Sequence, residues 1–455
     1  MGRLISFKIA WQSFRQKPLL GWGPENYEMA YLRNFDKRIL DYLPEDFYFD
    51  RVHNKPMEVL ATTGLFGFLS YMSIFILAFY ILWKNYKHYP AALLPNLALS
   101  GMLLGYFTQN IFLFDIYETY LMFFLTLAYL VSLEKQEITK SLVQVAPIKV
   151  LGGISLIILL PCIGFSCIFW IIKPYRLSRN IFYTNYYLAL GKGKEALAAL
   201  QKNIKDPEPL AGDIVAGFSK GHQSARSLSP EDDKILINEI VQFINRLPPD
   251  KLWFYQAKVA AIDLQSIAGQ WQPELLVKAQ REAEELVKAS PYLPDSHLLL
   301  AKTYTLNNKF DEALKAAQRG LELNPRSASA HYILFVAYGN QGKIAEADKH
   351  LVSAAKLHYP FNKVDVILRA VNLLVAEKDY KTIAELYLSA INLEPNNVQL
   401  YISLAATYGK LQDKEKAIFY AKKALEINPA LPNLKQAVDD FIQIIENEDW
   451  EKIAD

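Results

Sequence analysis

Residues 304–325 read YTLNNKFDEALKAAQRGLELNP, and this stretch decides the fold of the carboxy-terminal half of the chain. The proline that closes it recurs at a fixed interval. Pro291, Pro325, Pro395 and Pro429 are separated by 34, 70 and 34 residues. Because proline cannot continue a helix, each of these positions predicts the end of a helical unit. The spacing therefore predicts a row of similar helical units of one length.

Other residue types keep the same period. Small and aromatic side chains recur in step at Ala313, Ala347 and Ala417 and at Tyr304, Tyr338 and Tyr408. A 34-residue period, with small residues where paired helices touch, is typical of tetratricopeptide repeats. We therefore predict a tetratricopeptide α-solenoid over residues 291–455, with a degenerate unit around Val364–Pro395. Residues 176–290 are predicted to form a less regular helical repeat region.

The first 175 residues are dominated by apolar and aromatic runs. Four runs resemble membrane spans, at about residues 57–83, 91–114, 116–133 and 150–172. A transmembrane domain over residues 56–175 would follow an extracytoplasmic amphipathic helix and loop over residues 1–55. The predicted fold class is all-α, with polytopic membrane helices followed by an α-solenoid of tetratricopeptide repeats.

Charges in the connections predict an orientation. The short connection after the first span carries Lys84 and Lys87, and the one after the third span carries Lys135 and Lys140. Basic connections stay on the cytoplasmic side, so the repeats are expected outside the cytoplasm of a bacterial inner membrane. Lys173 and Arg176, directly after the fourth span, are a counter-signal to this orientation.

Composition excludes several classes of function. The formal net charge is +2, and no basic stripe with interleaved aromatic residues is present, so nucleic acid is not an expected partner. Cys162 and Cys167 lie inside an apolar run without neighbouring metal ligands and are read as small buried hydrophobic residues. We expect neither a metal ion nor a cofactor.

Four short motifs in the first 133 residues suggest a family. They are Gly2-Arg3-Leu4, the block Pro18–Tyr27 (PLLGWGPENY), His53-Asn54, and Gly64–Gly67. In this order they resemble the O-antigen ligase and polymerase superfamily of membrane glycosyltransferases. The resemblance implies metal-independent transfer of a glycan from a polyprenyl diphosphate carrier to an extracytoplasmic polysaccharide, lipid or protein.

The resemblance also implies a site. His53 and Arg3 would be catalytic: Arg3 would hold the diphosphate, and His53 would act as a base or as a diphosphate donor. Asn54, Arg51 and Glu25 are the candidate substrate-binding residues. Taken by themselves, charges before an apolar helix more often mark a helix end: Asn54 suits a helix cap, and Arg51 could pair with Asp50.

One departure leaves an alternative open. Members of this superfamily have further spans before these motifs, whereas this sequence begins at the first motif, which suggests a truncated chain that is inactive alone. The alternative is a non-enzymatic, membrane-anchored tetratricopeptide scaffold for envelope protein assembly, whose repeats bind a protein partner.

Overall fold

The computed structural model describes residues 2–42, 49–113, 115–142, 161, 165–166, 171–225, 228–248, 254–429 and 432–453. These residues form helices and connecting turns, without a β-strand among them, as predicted for an all-α chain. The chain divides into two compact units, Met1–Ser296 and His297–Asp455.

The first unit begins with three short elements: helices Gly2–Gln16 and Tyr27–Arg33 and the 3₁₀ turn Lys37–Asp41. Tyr27 and Ile9 are almost fully buried between the two α-helices. The Tyr27 hydroxyl donates a hydrogen bond to the Ser6 carbonyl oxygen at 3.1 Å, which satisfies a polar group that burial would otherwise penalise.

The next helix, Lys55–His88, is broken at Gly64, where φ is +67° and ψ is −163°. The loop at residues 18–23 crosses the helix there. Backbone amides of Leu65 and Phe66 donate to the carbonyls of Pro18 and Leu19, and the amides of Trp22 and Gly23 donate to Ala61 and Thr62, over 2.7–3.4 Å. The loop therefore satisfies backbone groups that the break releases.

Close backbone approach explains the glycines at this crossing. A Cβ on Gly64 would lie 2.4 Å from the Leu19 carbonyl carbon, and a Cβ on Gly21 would lie 2.3 Å from that of Thr62. Gly64 was read from the sequence as part of a first span over residues 57–83. The structure instead places a break inside that predicted span, so a straight membrane helix can begin only after Gly64.

Two further apolar helices, Leu93–Phe112 and Tyr117–Leu142, form an antiparallel hairpin that packs on helix Lys55–His88. Aromatic stacking holds them together: Tyr106 and Phe123 lie 4.4 Å apart, and Phe75 is 5.5 Å from Phe123. Among the described side chains of these helices, many are large, apolar and exposed, such as Leu94, Leu104 and Leu121.

Length and composition limit the membrane prediction. In the described residues, only Lys55–His88 and Pro90–Phe112 are long and apolar enough to cross a bilayer, and the apolar part of the third helix, Glu118–Ser132, is shorter. The predicted fourth span, residues 150–172, lies almost wholly outside the described residues, as do Cys162 and Cys167. The polytopic domain is therefore not supported as predicted.

The rest of the first unit is built from helical pairs. Their bounds are Lys173–Ala189, Gly193–Ile204, Ala211–Gln223, Pro230–Arg246, Tyr255–Ala268 and Pro273–Ala289. One apolar core runs through them and includes Leu200, Phe218, Ile240 and Leu264, all nearly fully buried.

The second unit contains the predicted repeats. Its helices are Pro294–Leu306, Phe310–Leu323, Ala328–Asn340, Ile344–Lys356, Val364–Val375, Tyr380–Leu393, Val398–Lys410, Lys414–Ile427 and Leu434–Glu446, followed by the 3₁₀ turn Trp450–Lys452. Ala313, Ala347 and Ala417 are fully buried, as small residues between paired helices should be.

The degenerate unit has a distinct junction. Residues 357–363 separate helices Ile344–Lys356 and Val364–Val375, whereas residues 324–327 suffice one unit earlier. Aromatic side chains fill this longer connection: Tyr359 stacks on Tyr332 at 4.2 Å and lies 5.1 Å from Phe361. Phe361 is buried in the core of this region, and Tyr332 and Tyr359 pack against that core.

Candidate functional site

Three of the five predicted site residues, Arg51, Glu25 and Asn54, lie around the start of helix Lys55–His88. Arg51 Nη2 lies 2.7 Å from Glu25 Oε2, and Arg51 Nη1 lies 3.5 Å from Glu58 Oε1. The expected pairing of Arg51 with Asp50 is replaced by these two longer-range contacts. Arg51 thus joins the loop that carries Glu25 to the helix that carries Glu58.

Asn54 has a structural role that its contacts define. Its side-chain oxygen accepts a hydrogen bond from the Met57 backbone amide at 2.9 Å, as an N-cap does. Its amide nitrogen donates to the Ile111 carbonyl at 2.8 Å. Both ends of the amide are therefore used to tie the first apolar helix to the end of the second.

His53 and Arg3 lie at the edges of this group. His53 has a left-handed backbone, with φ +56°, and its ring meets Phe49 edge-on at 5.6 Å. Arg3 Nη1 is 3.5 Å from the Phe112 carbonyl, at the carboxyl end of helix Leu93–Phe112, where a cation is favourable. The catalytic roles of His53 and Arg3 stay predictions.

Sequence analysis missed two buried groups beside these residues. Lys55 Nζ lies 3.2 Å from Glu58 Oε1, and both side chains are nearly buried. Asp115 is also buried, and its Oδ1 accepts from the Tyr106 hydroxyl at 2.5 Å and from Asn110 at 3.3 Å. Glu58, the one acidic residue in its apolar run, and Asp115, in the tight turn, were the available signals.

The amino-terminal elements also contact the helical pairs of the same unit. A Glu28 carboxylate oxygen accepts a hydrogen bond from the Tyr255 backbone amide at 2.5 Å. Arg33 donates to the Lys288 carbonyl oxygen at 2.8 Å. These contacts join segments that precede and follow the apolar helices in sequence.

In the second unit, the accessible apolar side chains of the repeats form a candidate binding surface. Helix Ala328–Asn340 is apolar around its circumference, yet only Ala330, Leu334 and Ala337 are fully buried there. Leu368, on the first helix of the next repeat, is 36% exposed. Apart from the exposed Ser329 and Asn340, the residues of helix Ala328–Asn340 are buried or half-buried, so the exposed apolar surface here is carried by Leu368.

A histidine pair lies within the second repeat. His331 Nδ1 and His350 Nδ1 are 2.9 Å apart, and the Tyr338 ring stacks on His350 at 5.5 Å. Burial lowers the pKa of both imidazoles, and the nearby His331 further lowers the pKa of His350. Across the described residues, no group of three or more His, Cys, Asp or Glu side chains could hold a metal ion.

Comparisons with known proteins identify the repeats. Residues 278–354 match the family described as anaphase-promoting complex, cyclosome, subunit 3, and residues 398–431 match the tetratricopeptide repeat family. A related protein is anaphase-promoting complex subunit 3 of Schizosaccharomyces pombe, 23% identical over 199 residues. The match covers 36% of this chain and only 30% of the length of that relative.

Solved structures give partial matches of the same kind. The crystal structure of MamA is 24% identical, covers 37% of this chain and 95% of its own, and has a TM-score of 0.24. A tetratricopeptide repeat protein from Parabacteroides merdae is 13% identical and covers 60% of this chain and 100% of its own, with a TM-score of 0.32.

These findings correct the family assignment. The matched families are repeat families, so the resemblance to the O-antigen ligase and polymerase superfamily is wrong. Glycosyltransferase activity, polysaccharide biosynthesis and the polyprenyl diphosphate-linked glycan and acceptor lipid partners fall with it. The predicted solenoid is confirmed: the described residues are helical, and the chain carries tetratricopeptide repeats, the kind of repeat that binds proteins or peptides.

Proposed function

We propose that this chain is a membrane-anchored scaffold that holds a protein partner on its tetratricopeptide repeats. The observation that carries the proposal is the repeat unit itself, with its buried alanines and its partly uncovered apolar helix Ala328–Asn340. Stacked repeats present an extended surface to a partner and supply no reactive group of their own. The related subunit is, by its name, also a component of a larger complex.

The first helices of the repeats are the proposed contact surface. Leu306 and Leu368 are 37% and 36% exposed, on the first helices of two different repeats. Exposed leucine on the first helices of two repeats favours an apolar partner segment that crosses several repeats. Phe419, on a second helix and 58% exposed, is the matched control position.

Photo-crosslinking in the native cell tests this surface. A photoreactive amino acid at Leu368 should give a discrete protein adduct, and the same residue at Phe419 should not. The purified adduct partner should then bind the full-length chain in a titration, and Leu368→Glu should weaken that binding about tenfold or more. Absence of an adduct at Leu368, or the same adducts at both positions, contradicts the scaffold.

The anchor is the second part of the proposal: a bacterial inner membrane, crossed more than once, with the repeats outside the cytoplasm. The contacts of Glu28 with Tyr255 and of Arg33 with Lys288 support an even number of crossings between these segments. Lys84 and Lys87 at the far end of helix Lys55–His88 favour the cytoplasm for that end.

Thiol labelling tests the orientation. In a chain carrying Cys162→Ser and Cys167→Ser, an impermeant maleimide should label Ser178→Cys in intact spheroplasts, and Lys87→Cys only after lysis. The reverse labelling pattern would show that the topology is opposite to the one proposed. Complete extraction of the chain by alkaline carbonate would contradict the membrane anchor.

A further inference from the structure

Helix Lys173–Ala189 carries apolar side chains on two opposite faces. Leu177, Ile181, Thr184 and Leu188 face the core of the first unit, where Leu177 and Leu188 are buried. The opposite face carries Tyr175, Arg179, Phe182, Tyr183 and Tyr186, which recur with helical spacing and which we call the outer stripe. One face is thus explained by packing, and the outer stripe is not.

The aromatic side chains of the outer stripe are unusually exposed to solvent. Tyr175 and Phe182 are each 64% exposed, and Tyr186 is 49% exposed. Its rings support one another, since Phe182 stacks on Tyr186 at 6.3 Å and meets Tyr183 edge-on at 5.6 Å. Contiguous exposed aromatic surface of this kind marks an interaction site.

Charge decides what the outer stripe can bind. Residues 173–190 contain no Asp or Glu. Lys173 pairs with Asp206 at 2.6 Å, whereas Arg176 and Arg179 are exposed and form no ion pair within the part of the chain that the structure describes. Two guanidinium groups beside aromatic rings fit an anionic surface, because arginine binds phosphate by paired hydrogen bonds.

We propose that the outer stripe lies on a bilayer surface that contains anionic phospholipid. Tyrosine rings suit the headgroup level, with the ring in the apolar boundary and the hydroxyl in water, and Arg176 and Arg179 meet the lipid phosphates. The helix follows the apolar run of residues 150–172 directly in sequence, which places it beside the membrane if that run is an anchor. This inference rests on the proposed membrane anchoring.

The same assignment accounts for the charges that opposed the predicted topology. Lys173 and Arg176 read as a cytoplasmic signal when counted as loop charges. As a surface contact of a helix lying on the bilayer, Arg176 fits either side of a membrane that contains anionic lipid, and Lys173 is paired with Asp206.

The test uses the full-length chain in liposomes, with Cys162→Ser and Cys167→Ser and a bimane probe at Tyr186→Cys. In liposomes with about one third phosphatidylglycerol, doxyl-labelled lipid should quench the probe strongly, and in pure phosphatidylcholine only weakly. Arg176→Gln with Arg179→Gln should remove the difference, since each arginine changes the bound-to-free ratio about fivefold.

Two controls separate lipid contact from other effects. A probe at Gln201→Cys, exposed on helix Gly193–Ile204, should escape quenching in both lipids. Lys194→Gln with Lys202→Gln removes the same charge from that helix and should leave the Tyr186 probe unchanged. Equal quenching in both lipids overturns the inference, as does protection that depends on protein concentration, which would indicate a second copy on the stripe.

Resistance to alkaline extraction tests the membrane anchor separately from the lipid-bound stripe. Chain that resists alkaline extraction from phosphatidylcholine liposomes but shows no dependence on phosphatidylglycerol keeps the proposed anchoring and rejects the lipid-bound stripe. Chain that alkali extracts from both liposomes rejects both.

Discussion

The crossing at Gly64 and the junctions between repeats join helices in opposite ways. In the repeats, side chains that recur along the sequence make the contacts: Ala347 is fully buried where two helices touch, and Ala417 repeats it. At Gly64 the backbone itself makes the contact, because residues 18–23 hydrogen-bond to residues 61–66. The first arrangement is redundant and periodic, and the second occurs once.

The difference sets how each region should respond to change. A repeat contact can be weakened without losing its neighbours, since each repeat touches only those adjacent to it. The crossing has no equivalent elsewhere in the described residues, and Gly64 and Gly21 both need the absence of a Cβ. Substitution should therefore cost most at the crossing.

Gly64→Ala is expected to have the largest effect. The new Cβ would lie 2.4 Å from the Leu19 carbonyl carbon, and the backbone at φ +67°, ψ −163° suits glycine alone. Strain and crowding together should lower the free energy of unfolding by about 4 kcal/mol. Hydrogen exchange of the Trp22 and Gly23 amides in the detergent-solubilised chain should report the lost crossing.

Gly101→Ala is the control for this substitution. Gly101 lies on helix Leu93–Phe112 with open space around its Cβ direction, so alanine there should be neutral or slightly stabilising. Unchanged protection of Trp22 and Gly23 in Gly64→Ala would show that the crossing is not a tight backbone contact.

Leu351→Ala comes second. Leu351 is fully buried in the core of the second unit, so truncation should lower the free energy of unfolding by about 3 kcal/mol. Faster amide exchange should be confined to His297–Asp455. Ile344→Ala, at a 50% exposed position seven residues earlier, should cost little. A loss spread over the first unit would contradict the independence of the two units.

What could be predicted from the sequence also differs between the repeats and the crossing at Gly64. The solenoid could be predicted because Ala313, Ala347 and Ala417 repeat a local pattern that each helical pair must satisfy. The helix break could not, because Gly64 inside an apolar run looks like an ordinary membrane glycine until the chain from Pro18 to Gly23 is placed against it.

The site followed this pattern too. Asn54 was identified as a candidate cap from its place before an apolar helix, and its contact with Met57 bears that out. Its second bond, to Ile111, and the pairing of Arg51 with Glu25 depend on tertiary contacts that no local pattern encodes. The family resemblance was wrong because its motifs are short and each match is weak alone, so they do not establish a fold.

Asn54→Ala in the first unit and Asp413→Ala in the second each remove a helix N-cap. In the first unit Asn54→Ala removes both the cap to Met57 and the bond to the partly buried Ile111 carbonyl, so the expected cost is about 2 kcal/mol. Asp413→Ala, which removes the cap to the Lys416 amide at 3.1 Å and an exposed ion pair with Lys416 Nζ, should cost about 1 kcal/mol. Equal losses in thermal unfolding would show that the bond to Ile111 contributes nothing.

Acid provides the smallest and most selective test, since it acts on His331 and His350 in the second unit. Burial lowers the pKa of both in the folded chain, so the unfolded chain binds protons first as the pH falls below about 6.5. The stability contributed by the neutral pair is complete above that pH and is lost below it.

Between about pH 7.5 and 5.5, the melting temperature of the second unit should fall by roughly 2 °C more in the wild type than in His331→Gln with His350→Gln. The control His358→Gln removes an exposed histidine beside Glu385 and leaves the His331–His350 pair in place. Its melting temperature should therefore depend on pH as in the wild type. An identical acid response in the double variant would mean that the 2.9 Å contact tolerates protonation, and that other groups set the acid sensitivity of the repeats.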